Sequence, residues 1–574
     1  MMNKIRPFLL ALAVVCSGLV ACGLFSLPNA EDRNADGFSA ARVIDDIEVI
    51  SKEHHSVAHP QQRAQVRDYL VKRLEDLGGE ITLFQYDSLT GPDNKHVKYT
   101  FDAVNVLADF PPLKESDDTT WLMMVAHYDS RYSNPMPKKD TVWSYGAADD
   151  GYGVGIILET LSELLEVRQD WNQGVKVLFT DAEEVGMKGM TAMWENDRQE
   201  FDDVGFMINI EARGPYGPAL LFETCPGNSR IMDMYSEYSR YPFTYSLTTV
   251  VYNFMPNFTD FTIVKDEVPG VNFSTIADIN HYHTDKDNFS NINDDSIQHY
   301  GEQILPLALA YVTDPIYADK DYLRAEDDTV NFTIPVLGLF NASKGMYKVL
   351  NVIVCVIFLL LYVFEGLRGR VKPGKVFKNS CTILCLAIGV LAVSELMAYL
   401  CTLVAGARFK PFGVIQGVQF DNIAMIVSIA LITAISVLVY YTTRHNAIRQ
   451  VSGSMRASAA YNAAERHACT HLYGALTLMF VLSLVLVFAL GENLMFLIPL
   501  TFATAAVLLW RITSWKFWLV AGIMLILLHA FSFLYALAMA LTIGAFGVVA
   551  MLAFLDLMVL IPLADIYLMY PRKK

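Results

Sequence analysis

Apolar positions divide this chain into two regimes. From about residue 347 onward they come in long unbroken runs, near 347–366, 381–404, 422–442, 471–490, 493–510, 517–537 and 541–567. Each run approaches the ~20 residues a helix needs to cross a bilayer core. Pro7 to Phe25 forms one more such run, behind Lys4 and Arg6. Before residue 347 the apolar runs are short. Trp121–Ala126 (WLMMVA), Val175–Thr180 (VKVLFT) and Phe206–Ile210 (FMINI) read as strands covered on both faces. Ile81–Tyr86 reads as another strand, and Gly153–Val167 as an apolar-periodic helix between two of them. Residues 39–78 read as two helices, interrupted at Pro60 and stopped by Gly78-Gly79. Strands alternating with helices predict an α/β domain, here a mixed sheet flanked by helices.

The expected plan follows. Residues 1–30 are a signal anchor or signal peptide, and 31–330 are the α/β domain. A linker covers 331–346, and 347–574 form an all-α transmembrane domain of about seven helices. Leu19-Val20-Ala21-Cys22 resembles a lipoprotein cleavage box. The uncleaved anchor is the preferred reading, because such short boxes arise by chance in apolar helices.

Charge sharpens the division. Residues 1–345 carry 27 Lys/Arg against 53 Asp/Glu, a net of −26, and residues 346–574 carry 17 against 7, a net of +10. An acidic soluble half argues against nucleic acid as a partner, since phosphate binding needs a basic face. With a cytoplasmic N-terminus, the basic loops fall inside. They hold Arg368, Arg370, Lys372, Lys375 and Lys378, then Arg444, Arg449, Arg456 and Arg466, then Arg511 and Lys516, then Arg572, Lys573 and Lys574. The short Arg408/Lys410 stretch is the exception. The positive-inside bias thus places the α/β domain on the non-cytoplasmic side, in a periplasm or an organelle lumen. Glu395, Asp556 and Asp565 fall within spans. Such residues mark function or burial with a cationic partner. Between residues 31 and 345 Cys225 stands alone, so that region forms no internal disulfide. Asn257, Asn272, Asn288, Asn331 and Asn341 begin N-x-[ST] sequons.

The candidate chemistry sits just beyond the predicted strands. WLMMVA runs into His127-Tyr128-Asp129, VKVLFT into Asp181-Ala182-Glu183-Glu184, and FMINI into Glu211-Ala212-Arg213-Gly214. Gly146-Ala147-Ala148-Asp149-Asp150-Gly151 lies between the first two, and Tyr282-His283-Thr284 comes later. Functional groups of open α/β sheets gather at the carboxyl ends of strands. Imidazole and carboxylate are the usual non-thiolate ligands of zinc. Acids and histidines on successive strand ends therefore point to a metal site. A carboxylate shared by two half-sites would hold two ions ~3.5–4 Å apart.

As a set, HYD, GAADDG, DAEE, NIEARG and YHT resemble the M28 family of zinc peptidases, in particular its subgroup with a multi-span C-terminal region. The resemblance covers roughly residues 39–315, and the membrane arrangement extends it without diagnostic residues. It implies two Zn2+ ions. His127 and Glu211 would hold one, Glu184 and His283 the other, and Asp149 would bridge them. Glu183 would be the general base, Tyr282 an oxyanion donor, and Asp129 the group that orients His127 by its other nitrogen. Asp150 would shape the loop at Asp149. Glu211 departs from the Asp of many soluble members, which puts substrate amine recognition in question. His281, His54, His55 and His59 are expected at the surface or in packing.

The resemblance implies peptide-bond hydrolysis, with an aminopeptidase acting on a peptide or protein substrate as the first choice. Spacing alone does not separate this from carboxypeptidase or dipeptidase action. One alternative is a single-zinc, glutaminyl cyclase-like activity on the same scaffold. The other is a spent ectodomain serving a receptor or transporter.

Overall fold

The computed structural model describes residues 2–91, 100–114, 120–133, 142–252, 258–450 and 457–569. Arg456, Arg572, Lys573 and Lys574 of the loop-charge pattern and the Asn257 sequon lie outside the described residues. The chain divides into two compact units. One is Phe25–Thr333 with Gly338–Lys344, and the other is Met1–Leu24 with Ile334–Leu337 and Gly345–Lys574.

The first unit is built on a seven-stranded mixed sheet. Its strands are β1 (Glu80–Thr90), β2 (Thr100–Phe110), β3 (Trp121–His127), β4 (Gly174–Thr180), β5 (Val204–Ala212), β6 (Tyr216–Thr224) and β7 (Gly270–Ala277). The spatial order is β1-β2-β4-β3-β5-β7-β6. β4, β3, β5 and β7 are parallel neighbours, and antiparallel strands close both edges. Every residue of β4 and β5 is buried. That is why both read as nearly continuous apolar runs, interrupted at Lys176 and Asn209: covered on two faces, a strand has no reason to alternate. The cover includes α1 (Ala40–Ile50), α2 (Pro60–Asp76), α3 (Gly151–Glu166) and α4 (Asp294–Thr313). Pro60 opens α2 at its first turn, where its missing N–H costs nothing.

The sequence reading missed β2, β6 and β7. β7 contains Asn272, Ser274 and Thr275, all buried, which interrupt its apolar run. The same burial removes Asn272 and Asn331 as exposed sequons, because both lie inside strands.

The second unit is helical. Among the described residues, seven segments are long and apolar enough to cross a membrane, the last being Phe517–Leu568. That segment holds two helices, Phe517–Leu541 and Phe546–Leu568, joined by a short 3-10 turn. Their boundaries follow the runs read from the sequence. Asp565 pairs with Arg444 at 2.8 Å and accepts from Tyr440 Oη at 2.9 Å, a cationic partnership that was one of the two readings open for it. Glu395 accepts the Gly547 N–H at 3.2 Å. An acid not anticipated, Glu365, is fully buried and takes a two-pronged bond from Arg511 at 2.8 and 3.1 Å.

Candidate metal centre

Four parallel strands end on the same side of the sheet, and the expected ligands come from just there. His127 is the last residue of β3, and Glu211 the last but one of β5. Glu183 and Glu184 follow β4 by a turn in which Ala182 adopts a left-handed φ of 60°. His283, with φ 58°, lies in the loop after β7. A left-handed conformation is costly for residues with a Cβ and is held only where the surroundings demand it.

Asp149 is presented by the turn that opens α3. Asp150 caps that helix, accepting the Gly153 N–H at 3.0 Å, and its second oxygen lies 3.3 Å from the His127 N–H. A Cβ at Gly153 would come within 2.3 Å of the Asp150 carboxylate, so the cap requires glycine there. Gly146 has φ +66° and is hemmed in by the Asp149 carbonyl and Ser130. Asp150 thus shapes the loop, as expected.

The result is two groups of ligand atoms that share one residue. His127, Asp149 and Glu211 offer atoms all within 4.8 Å of one another, and so do Asp149, Glu184 and His283. His127 Nε2 lies 3.3 Å from Asp149 Oδ1 and 3.9 Å from Glu211 Oε2. His283 Nε2 lies 3.2 Å from Asp149 Oδ2 and 3.2 Å from Glu184 Oε2. All five residues predicted as ligands are brought together.

The donor set fits a cation on three grounds. His127 Nδ1 donates to the Asp129 carbonyl at 2.9 Å, which leaves the Nε2 lone pair facing carboxylate oxygens. Two such lone pairs repel unless a proton or a metal ion lies between them. Glu184 Oε1 is buried without a hydrogen bond among the described residues. The charge balance adds the third ground. Burial and the neighbouring Glu211 hold Glu183 well above the usual carboxylate range, and burial and nearby acids do the same to Glu211. Burial opposes a proton on His127, yet hydrogen bonds to Asp129 and Asp149 raise its pKa. A pocket that retains protons against its own negative charge is one that cations stabilise on binding.

Asp129 meets the other ring nitrogen of His127. Its carbonyl, not its carboxylate, takes the His127 Nδ1 bond, and Oδ1 stays 3.5 Å from that nitrogen. The same Oδ1 accepts the Glu183 backbone N–H at 2.9 Å. Tyr282 stacks on His283 at 3.6 Å between ring centroids. Burial, then Asp149 and Glu184, raise its hydroxyl pKa well above the ordinary value.

Several neighbours were not anticipated. Arg131 pairs with Glu184 Oε2 at 3.1 Å and also donates to the Glu184 carbonyl. Asp287 accepts from Ser144 Oγ at 2.8 Å and from the Ala148 N–H at 2.7 Å, which braces the Asp149 loop. Burial, chiefly, pushes its pKa to about 7. Asp260 accepts from Thr180 Oγ1, and burial lifts it to about 6. Asp287 lies four residues past His283, a proximity that was a usable signal. Asp260 opens a short helix far from any motif and left none. Of the histidines set aside, His55 is buried with Nδ1 at 2.9 Å from the Glu53 carbonyl, and His281 lies 3.0 Å from Asp278. His54 and His59 are half-buried among aromatic rings.

Residues 105–308 match the model of Peptidase family M28. A putative endoplasmic reticulum metallopeptidase 1-A from Caenorhabditis elegans is 28% identical over 272 residues, which is 46% of this chain and 29% of that protein. A vacuolar membrane protease from Candida dubliniensis is 26% identical over 420 residues, 69% of this chain and 40% of that protein. Among solved structures, Porphyromonas gingivalis glutaminyl cyclase aligns at 18% identity and a TM-score of 0.38, over 48% of this chain and 100% of that one. The chain spans less than half the length of these two curated relatives.

Proposed function

We propose, because residues 105–308 match the model of Peptidase family M28, that this chain is a membrane-embedded aminopeptidase with a two-zinc site on the non-cytoplasmic side. In this reading residues 31–330 are the peptidase domain, 331–346 a linker and 347–574 the transmembrane domain. His127 and Glu211 would hold one zinc, Glu184 and His283 the other, and Asp149 would serve both groups. The observation that carries the reading is the position of Asp149, whose two oxygens face different histidines at 3.3 and 3.2 Å.

Zinc bound there would polarise the scissile carbonyl and make water a nucleophile near neutral pH. The residues supply the rest. Glu183 takes the proton of the attacking water and passes it to the leaving amine. Asp129 fixes Glu183 by its backbone. Tyr282, held against His283, donates a hydrogen bond to the developing oxyanion. The surplus of carboxylates suits the ammonium of a free N-terminus. The basic loops support the orientation.

The reading is tested with full-length protein in detergent and zinc. Leucine p-nitroanilide should be hydrolysed and its N-acetylated form left intact. Equal cleavage of both would overturn aminopeptidase action, and cleavage of neither, nor of any free peptide, would overturn the peptidase.

A further inference from the structure

Two guanidinium groups stand beside the carboxylate cluster, and their commitments differ. Arg131 is engaged by both the carboxylate and the carbonyl of Glu184. Arg213 is not engaged in this way. It lies two residues past Glu211, and its backbone N–H bonds the Thr275 carbonyl of β7 at 3.1 Å. Extended pairing therefore continues through it, and period-two alternation sends the Glu211 and Arg213 side chains from the same face of the sheet. The Arg213 guanidinium carbon is 5.9 Å from the centroid of the Tyr282 ring, which itself stacks on His283. Among the described residues, the guanidinium forms no ion pair and no hydrogen bond.

This is an unusual state for a half-buried arginine. Partial desolvation of a cation is costly unless a partner offsets it. Glu211 stands two residues away along the chain, yet no acid within the described residues takes the pair. A fork of N–H donors is thus left beside Tyr282, which stacks on His283, and its geometry matches a carboxylate. A substrate's free ammonium would be drawn to the acids and repelled by Arg213. The group that Arg213 receives therefore belongs on the other side of the scissile bond.

We propose that Arg213 is a specificity residue that binds a carboxylate carried by the peptide substrate on the leaving side of the scissile bond. The proposal rests on the peptidase reading given above. The carboxylate has two chemical sources, the C-terminus of a short peptide or the side chain of an Asp or Glu.

Two substrate pairs separate them, assayed with the full-length, zinc-loaded protein. Leu-Ala is compared with Leu-Ala amide, and Leu-Asp amide with Leu-Asn amide. At least one carboxylate-bearing peptide should exceed its neutral counterpart in kcat/KM by about 10- to 100-fold. A response in the first pair assigns Arg213 to a C-terminus, and in the second to an acidic side chain. Arg213→Gln should bring the ratio close to one. Arg213→Lys, which keeps the charge but not the fork, should retain part of it. A merely structural role, through Tyr282, would lower both members of a pair alike and preserve the ratio. The proposal is overturned if wild type treats both pairs equally, or if the ratio survives Arg213→Gln. If no peptide is cleaved, the peptidase reading itself fails. Calorimetric binding of the same peptides then decides: tighter binding of a carboxylate peptide that Arg213→Gln abolishes supports the proposal, and equal binding overturns it.

Discussion

The Asp129 carboxylate accepts the backbone N–H of Glu183 at 2.9 Å, and so ties the end of β3 to the turn that follows β4. Through its carbonyl the same residue holds the His127 ring. One residue therefore positions both a ligand and the proposed general base. Asp129→Ala should cost roughly 1–3 kcal/mol of stability, the usual penalty for a buried donor left unsatisfied. Asp129→Asn, which keeps an acceptor oxygen, should cost less. Denaturant unfolding of the two variants would check the order, and an Asn variant as unstable as the Ala variant would contradict it.

Glu183 is proposed to move protons without holding metal. Glu183→Gln should keep the zinc content of wild type and lower kcat by about 10²- to 10⁴-fold, the usual worth of general base catalysis. Metal analysis beside steady-state kinetics would check this. A variant that lost both zinc and activity would instead place Glu183 among the ligands.

Much of this site was legible in advance because each ligand follows a run whose burial shows in composition. β3, β4 and β5 are mostly apolar, with Lys176 and Asn209 as interruptions, so His127, Glu184 and Glu211 stand out as polar residues at or just past their ends. His283 and Asp149 were legible through the family pattern rather than through periodicity. β7 was not legible, because Asn272 bonds Glu223 and Thr259 inside the sheet, and buried polar pairs look like loop composition in one dimension. Of the bracing acids, Asp260 was hidden for the same reason, whereas Asp287 stood close enough to His283 in sequence to be noticed. Their role depends on partners 80 and more than 130 residues away in sequence. Asp129 was recognised as important, but which of its oxygens met which partner required three dimensions.

His299, on α4, carries a pH dependence remote from the metal centre. Its Nδ1 accepts the Ala219 N–H at 3.1 Å and lies 3.0 Å from Gln303 Nε2, so the ring is built in as the neutral form. Burial lowers its pKa from 6.5 to about 3. Because the folded value lies below the unfolded one, its contribution is fully present above pH 6.5. It is lost as pH falls from there toward about 3, with a slope of at most about 1.4 kcal/mol per pH unit. His299→Asn keeps an acceptor near the same place and does not titrate. Unfolding free energies across that window should therefore fall less steeply for the variant, and identical slopes would contradict this assignment.

Orientation can be read from protease protection. In sealed vesicles with the cytoplasmic face outward, added protease should leave residues 31–330 intact and cut the loops near Lys372 and Arg449. Degradation of the α/β domain in intact vesicles would place it on the cytoplasmic side.

Zinc stoichiometry against activity tests the shared role of Asp149 most directly. Full-length protein titrated with zinc after chelation should regain full peptide hydrolysis on binding two ions per chain, and Asp149→Ala should lose high-affinity binding of both. Full activity with a single ion per chain, or hydrolysis that persists without metal, would contradict a bridging Asp149.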